Sequence, residues 1–259
     1  MPGFESLPGS HGNFMVRVLG GFSLFWGDSV LRVPRASQRL LAFLALQRRM
    51  VKRAAIAGTL WPEASESRAS ANLRSALARL QGTARKALAA DKLELGLAEG
   101  IVIDVYDAQG LARRLLDPGV TPDRAELGLA TVPALSADLL PDWYDDWVLL
   151  EAEDWRQLRL HALEALAVRL IALGRWGEAA NAAGAAVRAE PLRESARAAL
   201  IQAHLAEGNQ SEAVREFTRY RTLLDAELGL APTPRLHELL TSLHGPARCH
   251  HCHGVTIGT

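Results

Sequence analysis

The chain has 259 residues, 49% apolar and 22% charged, with 29 Lys and Arg balanced by 29 Asp and Glu. That length and mix describe a folded protein with room for two domains, and they exclude a disordered or fibrous chain. The zero net charge hides an asymmetry. Residues 13–110 carry 14 basic and 8 acidic side chains, net +6, whereas residues 111–259 carry 15 and 20, net −5, so the two halves are expected to meet different partners. Only Lys52, Lys86 and Lys92 are lysines, so arginine richness by itself reflects genome composition rather than function. No signal-peptide pattern precedes Arg17, and no run approaches the ~18 uncharged apolar residues that a membrane span needs. The two cysteines, Cys249 and Cys252, cannot form a disulfide framework, and a cytoplasmic protein without membrane contact is expected.

Residues 1–13 are rich in Pro, Gly and Ser and read as disordered. Three β-like runs follow at 15–19, 22–26 and 30–33, with a turn at Gly27-Asp28 and a stop at Pro34. From Arg35 the period becomes helical through about Gln47, with Leu40, Leu41, Phe43, Leu44 and Leu46 apolar. A short helix at 52–60 leads into the turn TLWPEASES, where Pro62 breaks the chain and Ser65 or Ser67 can cap the next helix. That third helix is ESRASANLRSALARLQGTARK, 66–86, with five bases and one acid. KLELGLAEGIVIDV, 92–105, then reads as a β-hairpin around Glu99-Gly100. The order β-β-β-α-α-α-β-β over 14–110 predicts an α+β winged helix-turn-helix domain preceded by a small sheet.

A loop rich in Pro, Gly and Asp at 117–142 contains a linker, and every later signal is helical. Gly174 recurs as Gly208, Glu178 as Glu212, Ala179 as Ala213 and Leu166 as Leu200, each 34 residues apart, which is the tetratricopeptide period. An all-α tetratricopeptide-like domain is therefore expected over 111–244, followed by a flexible tail at 245–259.

The third helix carries the functional signal. On a wheel, Ala69, Leu73, Ala76, Leu77, Leu80 and Ala84 fall within about 100° of one another and form a core stripe. Arg68, Asn72, Ser75 and Arg79 fall within about 60° on nearly the opposite side. Arg donates bidentately to guanine, Asn to adenine, and Ser is a short adaptable partner, so these four are the base-reading candidates. Arg74, Arg85 and Lys86 are the phosphate candidates. An exposed arginine face alone reads as solvated surface; its position as third helix before a hairpin, in a segment (35–92) with 12 bases and 3 acids, points instead to double-stranded DNA.

LWPEASESRASANLRSALARLQ and the later LLPDWYDDWVLLEAEDWRQLRLHALEALA and AEPLRESARAALIQAHLAEGNQSEAVREFTRYRTLLDAELGLAPTP resemble the bacterial transcriptional activator domain family, of the Streptomyces antibiotic regulatory protein type, over about 15–243. The resemblance implies a response-regulator-type winged helix joined to a tetratricopeptide-like activator domain that binds direct repeats near promoters, as a possible homodimer, and recruits RNA polymerase. It also implies that the turn at Pro62–Ser67, with Glu63 and Glu66, faces polymerase. The wing tip read at Leu97–Gly100 has no Arg or Lys for a minor groove, so no wing contact is expected. There is no glycine-rich phosphate loop and no expected cofactor.

The remaining constellations are weaker. Cys249-His250-His251-Cys252-His253 can bind metal adventitiously, but a structural zinc site needs a scaffolded second ligand pair, so no metal site is expected. Trp143, Tyr144, Trp147 and Trp155 read as packing residues, and Asp142, Asp145 and Asp146 as first-turn acids of a helix. His161, His204, His237 and His244 are scattered with no nucleophile motif nearby, so an enzyme is not expected. The rivals to a DNA reader are a tetratricopeptide-type interaction scaffold and a regulator that takes a ligand in an acidic helical groove.

Overall fold

The computed structural model describes residues 13–128 and 130–241. The expectations for 1–12 and for the Cys/His run at 249–253 lie outside them. In chain order the elements are β1 Phe14–Arg17, β2 Ser23–Trp26, β3 Ser29–Leu31, α1 Arg35–Gln47, β4 Val51–Lys52, α2 Arg53–Leu60 and α3 Glu66–Ala78. There follow α4 Gly82–Arg85, β5 Leu88–Ala90, β6 Glu94–Leu97, β7 Val102–Ile103 and α5 Asp104–Leu116. Six more helices follow among the described residues: α6 Thr131–Ser136, α7 Asp146–Ala172, α8 Trp176–Ala189, α9 Glu194–Glu207, α10 Gln210–Leu228 and α11 Pro234–Thr241. An α+β part is thus followed by a helical one. Among the described residues no helix is long and apolar enough to cross a membrane.

Packing divides the chain into two compact units, one of residues up to Thr121 with Pro133–Arg159, the other of Pro122–Val132 with residues from Leu160 onward. The boundary expected at 110/111 is not where packing divides the chain. Residues 133–159 cluster with the first unit because Trp147 packs edge-on to Phe43, 5.3 Å between ring centroids, and the Leu140 N–H donates to the Val18 carbonyl at 2.9 Å.

In the first unit one sheet has the order β3-β2-β1-β7, antiparallel except that β7 lies parallel to β1. Val16 and Leu24 pair across β1 and β2 and are fully buried, as alternation requires of one sheet face. Beyond β1 the chain is tied down by Asp104, whose carboxylate accepts the Val18 and Leu19 N–H groups at 2.9 and 3.1 Å. Burial raises the Asp104 pKa despite those hydrogen bonds. A second sheet, β4-β6-β5, lies beside α1 and α2, on which α3 packs. Its core joins Leu40, Leu44, Ile56, Leu60, Leu73 and Leu95.

The hairpin differs from its expected place. β5 and β6 pair antiparallel around Asp91–Leu93, whereas Gly100, at φ 76°, turns the chain out of β6 toward β7. β7 does not return to β6; it joins β1. The run KALAA, strong in helix-forming alanine, reads as helix continuation by local preference, and pairing to β6 overrides it. α3 is also shorter than the expected 66–86. Gln81 is extended and Gly82 has φ 56°, which stops the helix and starts the separate turn α4.

In the second unit the 34-residue recurrence is a recurrence of helix ends. Gly174 and Gly208 both have φ above 0, 70° and 87°, and each is followed by a helix that starts two residues later. Ala179 and Ala213 are both fully buried one turn into those helices. α9 and α10 are joined by the buried pair Arg197–Glu216 at 2.8 Å, and Arg219 adds a second donor to Glu216 at 2.5 Å.

α1 ends on Arg48, a non-glycine residue at φ 52° whose guanidinium lies 4.1 Å from the Tyr106 ring centroid. The Tyr106 hydroxyl donates to the Ala45 and Leu46 carbonyls at 3.0 and 2.9 Å, meeting two carbonyls of the last turn. Burial pushes its pKa up to about 12, against the opposing pull of Arg48. Because the folded value is raised, the stability contributed by this hydroxyl is complete below pH 10 and is lost as pH rises through about 12. Tyr106→Phe is expected to cost about 1 kcal/mol in denaturant unfolding at pH 7. Its unfolding midpoint should also fall less than that of the parent between about pH 10 and 12; equal falls would deny the hydroxyl its part.

Candidate nucleic-acid interface

α2 and α3 are joined by the turn Trp61–Ser65, in which the Ala64 N–H donates to the Trp61 carbonyl at 3.1 Å. Ser65 occupies the N-cap of α3 with extended backbone angles but makes no side-chain cap bond; its Oγ lies 3.4 Å from Ser67 Oγ. Glu66 places an acid in the first turn, where it favours the helix dipole. Both Glu63 and Glu66 are exposed.

The six residues of the expected core stripe, Ala69, Leu73, Ala76, Leu77, Leu80 and Ala84, are all buried. Leu73 and Leu77, with Leu40 and Leu44 from α1, form one cluster, and each such leucine contributes on the order of 2 kcal/mol. The far end of α3 is closed by side chains. The Leu80 N–H turns to Leu77 O rather than to Ala76 O, and fully buried Ser37 donates its Oγ hydrogen to the freed Ala76 carbonyl at 2.8 Å. Arg85 Nη1 donates to Leu77 O at 3.1 Å. Ser37 therefore fixes the end of α3 against α1.

On a second face, centred about 120° round the helix from the buried stripe, Arg68, Ser75 and Arg79 are exposed and Asn72, nearest that stripe, is half-buried. Arg79 sits at the C-cap but keeps right-handed helical angles, φ −78° and ψ −16°, so the four residues remain one stripe although the helix is shorter than expected. Of the phosphate candidates, Arg74 and Lys86 are exposed with free head groups, whereas Arg85 is partly committed to the end of α3. Among the described residues the side chains of Arg68, Arg74, Arg79 and Lys86 make no hydrogen bond or ion pair.

The hairpin tip is Asp91-Lys92-Leu93. Asp91 accepts the Leu93 and Glu94 N–H groups, both at 2.7 Å, and those two bonds hold its carboxyl below the usual range. Arg53 donates to the Asp91 carbonyl at 2.9 Å, tying α2 to the tip. Lys92 is exposed at that turn, so the tip carries a cation, contrary to the expectation built on Leu97–Gly100. The signal that could have found it was Asp91 itself, an Asx-turn residue between two short β-capable runs.

Other basic residues are withdrawn from this surface. Arg39 pairs with Asp145 and donates to the Leu60 carbonyl, so Asp145 serves as an ion-pair partner of α1 rather than only a first-turn acid. Arg35, Arg39, Asp142, Trp143, Tyr144 and Asp145 line a small cleft of about 370 Å³. Trp143 packs 6.2 Å from Trp147 and 6.3 Å from Phe22, as expected for a packing residue, whereas Tyr144 is exposed. No group of His, Cys, Asp and Glu among the described residues is arranged to hold a metal.

An α+β unit with a one-sided cationic helix, followed by helical repeats, describes a class of regulatory proteins. The family model "bacterial transcriptional activator domain" matches residues 109–244. The chain belongs to this family. It is 32% identical to the regulatory protein AfsR of Streptomyces griseus over 90% of this chain, and 29% identical to that of Streptomyces coelicolor over 92%. It spans 25% of the length of each of these curated relatives. A solved structure of Mycobacterium tuberculosis EmbR, in complex with a low-affinity phosphopeptide, superposes with a TM-score of 0.67 at 22% identity. That match covers 90% of this chain and 65% of that one, and it is a likeness of fold.

The geometry separates structural from unoccupied donors. Ser37→Ala should destabilise the first unit by about 1–2 kcal/mol, because it leaves the Ala76 carbonyl buried and unpaired. Arg79→Ala should change stability by less than about 0.5 kcal/mol. Chemical unfolding of both variants checks the pair; equal costs would mean that the exposed stripe is structural.

Proposed function

We propose that the chain is a sequence-specific DNA-binding transcriptional activator. In this reading α1–α3 and the β5–β6 hairpin are a winged helix-turn-helix of the response-regulator type, with α3 the recognition helix in the major groove. The helices of the second unit are the tetratricopeptide-like activator part. The observation that carries the reading is α3 itself: one side buried on α1, the other presenting Arg68, Asn72, Ser75 and Arg79 with the three arginine and serine positions exposed.

The physics divides the labour. Arg74, Lys86 and Lys92 neutralise phosphates and supply salt-dependent affinity that is blind to sequence, with Arg85 contributing through the donors left free by Leu77. Arg68, Asn72, Ser75 and Arg79 meet base edges and supply selection. Lys92 at the hairpin tip is placed on the element that would lie beside the duplex. Two copies occupy direct repeats near a promoter, and the turn with Glu63 and Glu66 faces RNA polymerase. The family match and the likeness to regulatory proteins support the transcriptional setting.

Arg79→Ala is expected to weaken binding to a selected operator by about 1–3 kcal/mol while leaving random-sequence DNA nearly unaffected. Lys86→Ala should instead lower both affinities and reduce the salt slope by about 1. Fluorescence anisotropy over a salt series distinguishes the two. Equal losses for Arg79→Ala on both DNAs would remove its base-reading role.

A further inference from the structure

Arg35, Arg39, Asp142, Trp143, Tyr144 and Asp145 line a cleft of about 370 Å³ within the first unit, formed by the start of α1 and the loop before α7. That volume lies at the lower end of the range for small-molecule pockets, with room for one planar ring and a charged group rather than for a peptide. Part of the lining is fixed by the fold. Arg39 is held by Asp145 and by the Leu60 carbonyl, and the Trp143 ring packs on Phe22 and on Trp147.

The other three lining groups have no such task. Arg35 and Asp142 are exposed and, among the described residues, make no hydrogen bond or ion pair, and Tyr144 is 81% exposed. An arginine and an aspartate that line one cleft without pairing leave both donors and acceptors open to a third molecule. With two arginines against two aspartates, a bare anion meets as much repulsion as attraction there. A ligand with hydrogen-bond donors at one end and an anion at the other satisfies both signs.

Each free group matches one part of a nucleotide. An exposed aromatic face stacks a base. An ionised carboxylate only accepts hydrogen bonds. Guanine alone among the common bases presents two adjacent donors, N1–H and N2–H, on its Watson–Crick edge, whereas adenine and cytosine set an acceptor nitrogen beside their donor. The planar fork of arginine suits phosphate. Arg35 also opens α1, whose first turn holds no acid, so the helix charge adds to its attraction for an anion.

We propose that this cleft binds a guanine mononucleotide: Tyr144 and Trp143 hold the base, Asp142 accepts its N1–H and N2–H, and Arg35 takes the phosphate. Arg39 and Asp145, already paired, shape the cleft. The site does not rest on the DNA-binding reading. It is nonetheless tied to α3, because Ser37, two residues beyond Arg35, holds the last turn of that helix.

The test titrates the full chain with guanosine monophosphate, followed by calorimetry and tryptophan fluorescence. Adenosine monophosphate, guanosine, inorganic phosphate and a single-stranded guanine-containing oligonucleotide are run beside it. Guanosine monophosphate should bind saturably and at least about tenfold more tightly than adenosine monophosphate or phosphate. Asp142→Asn should erase the preference for guanine. Arg35→Gln should cut the affinity for guanosine monophosphate about tenfold while leaving that for guanosine unchanged. Tyr144→Ala should weaken both nucleotides alike. All three side chains are exposed, so these variants keep the parent unfolding midpoint, which is measured with them. A parent that does not bind guanosine monophosphate saturably overturns the proposal, as do equal affinities for the two nucleotides or parent-like binding by both Asp142→Asn and Arg35→Gln. Binding of the oligonucleotide without the mononucleotide also overturns it, assigning the cleft to an unpaired strand.

Discussion

Helix α3 can present arginines to solvent only because its other side is held so firmly on α1. Ala69, Leu73, Ala76 and Leu77 join the leucines of α1 and α2 in a single cluster, and Ser37 closes the carbonyl left open where the helix stops. Long cationic side chains lose conformational entropy whenever they are ordered, so a free arginine stripe adds nothing to stability. The apolar stripe carries the energy of the element, and the polar stripe is left available for a ligand. Everything proposed for this protein on DNA depends on that division within thirteen residues.

The same economy of pairing runs through the first unit. Arg39 is taken up by Asp145 and the end of α2, Arg53 by the hairpin turn, Arg48 by the Tyr106 ring and Arg85 partly by the end of α3. Among the described residues of this segment Arg68, Arg74, Arg79, Lys86 and Lys92 remain unengaged in α3, the turn after it and the hairpin tip, as do Arg35 and Lys52 outside them. A segment with a formal excess of nine positive charges between residues 35 and 92 thus resolves into structural and unoccupied cations. In the acidic 141–154 segment Asp145 is paired with Arg39 and Glu153 with Arg156, whereas among the described residues Asp142, Asp146, Glu151 and Asp154 make no ion pair.

Much of this was legible in the residues. Period-2 runs and Pro34 mark β1 to β3 and the start of α1 within a residue or two, and the wheel of α3 separates its buried residues without error. The recurrence of Gly174 at Gly208 marks two helix ends, because only a left-handed glycine closes a helix so cheaply. The hairpin was misplaced for an equally physical reason: Leu88–Ala90 is alanine-rich and locally helical, and only its pairing with β6 makes it a strand. With the tip moved to Asp91–Leu93, Lys92 joins the candidate surface. Sequence could not separate Arg39, Arg53 and Arg85 from Arg68 and Arg79, since their partners Asp145, Asp91 and Leu77 are distant in sequence or lie on the backbone.

The central claim is that the polar face of α3 selects sequence rather than merely attracting polyanions. Selection from fragmented genomic DNA with the purified chain, at about 50 and 200 mM salt, tests it most directly. The account predicts an enriched pair of short direct repeats that persists at the higher salt. Loss of all DNA at that salt, with no motif shared among the fragments kept at the lower one, would contradict it.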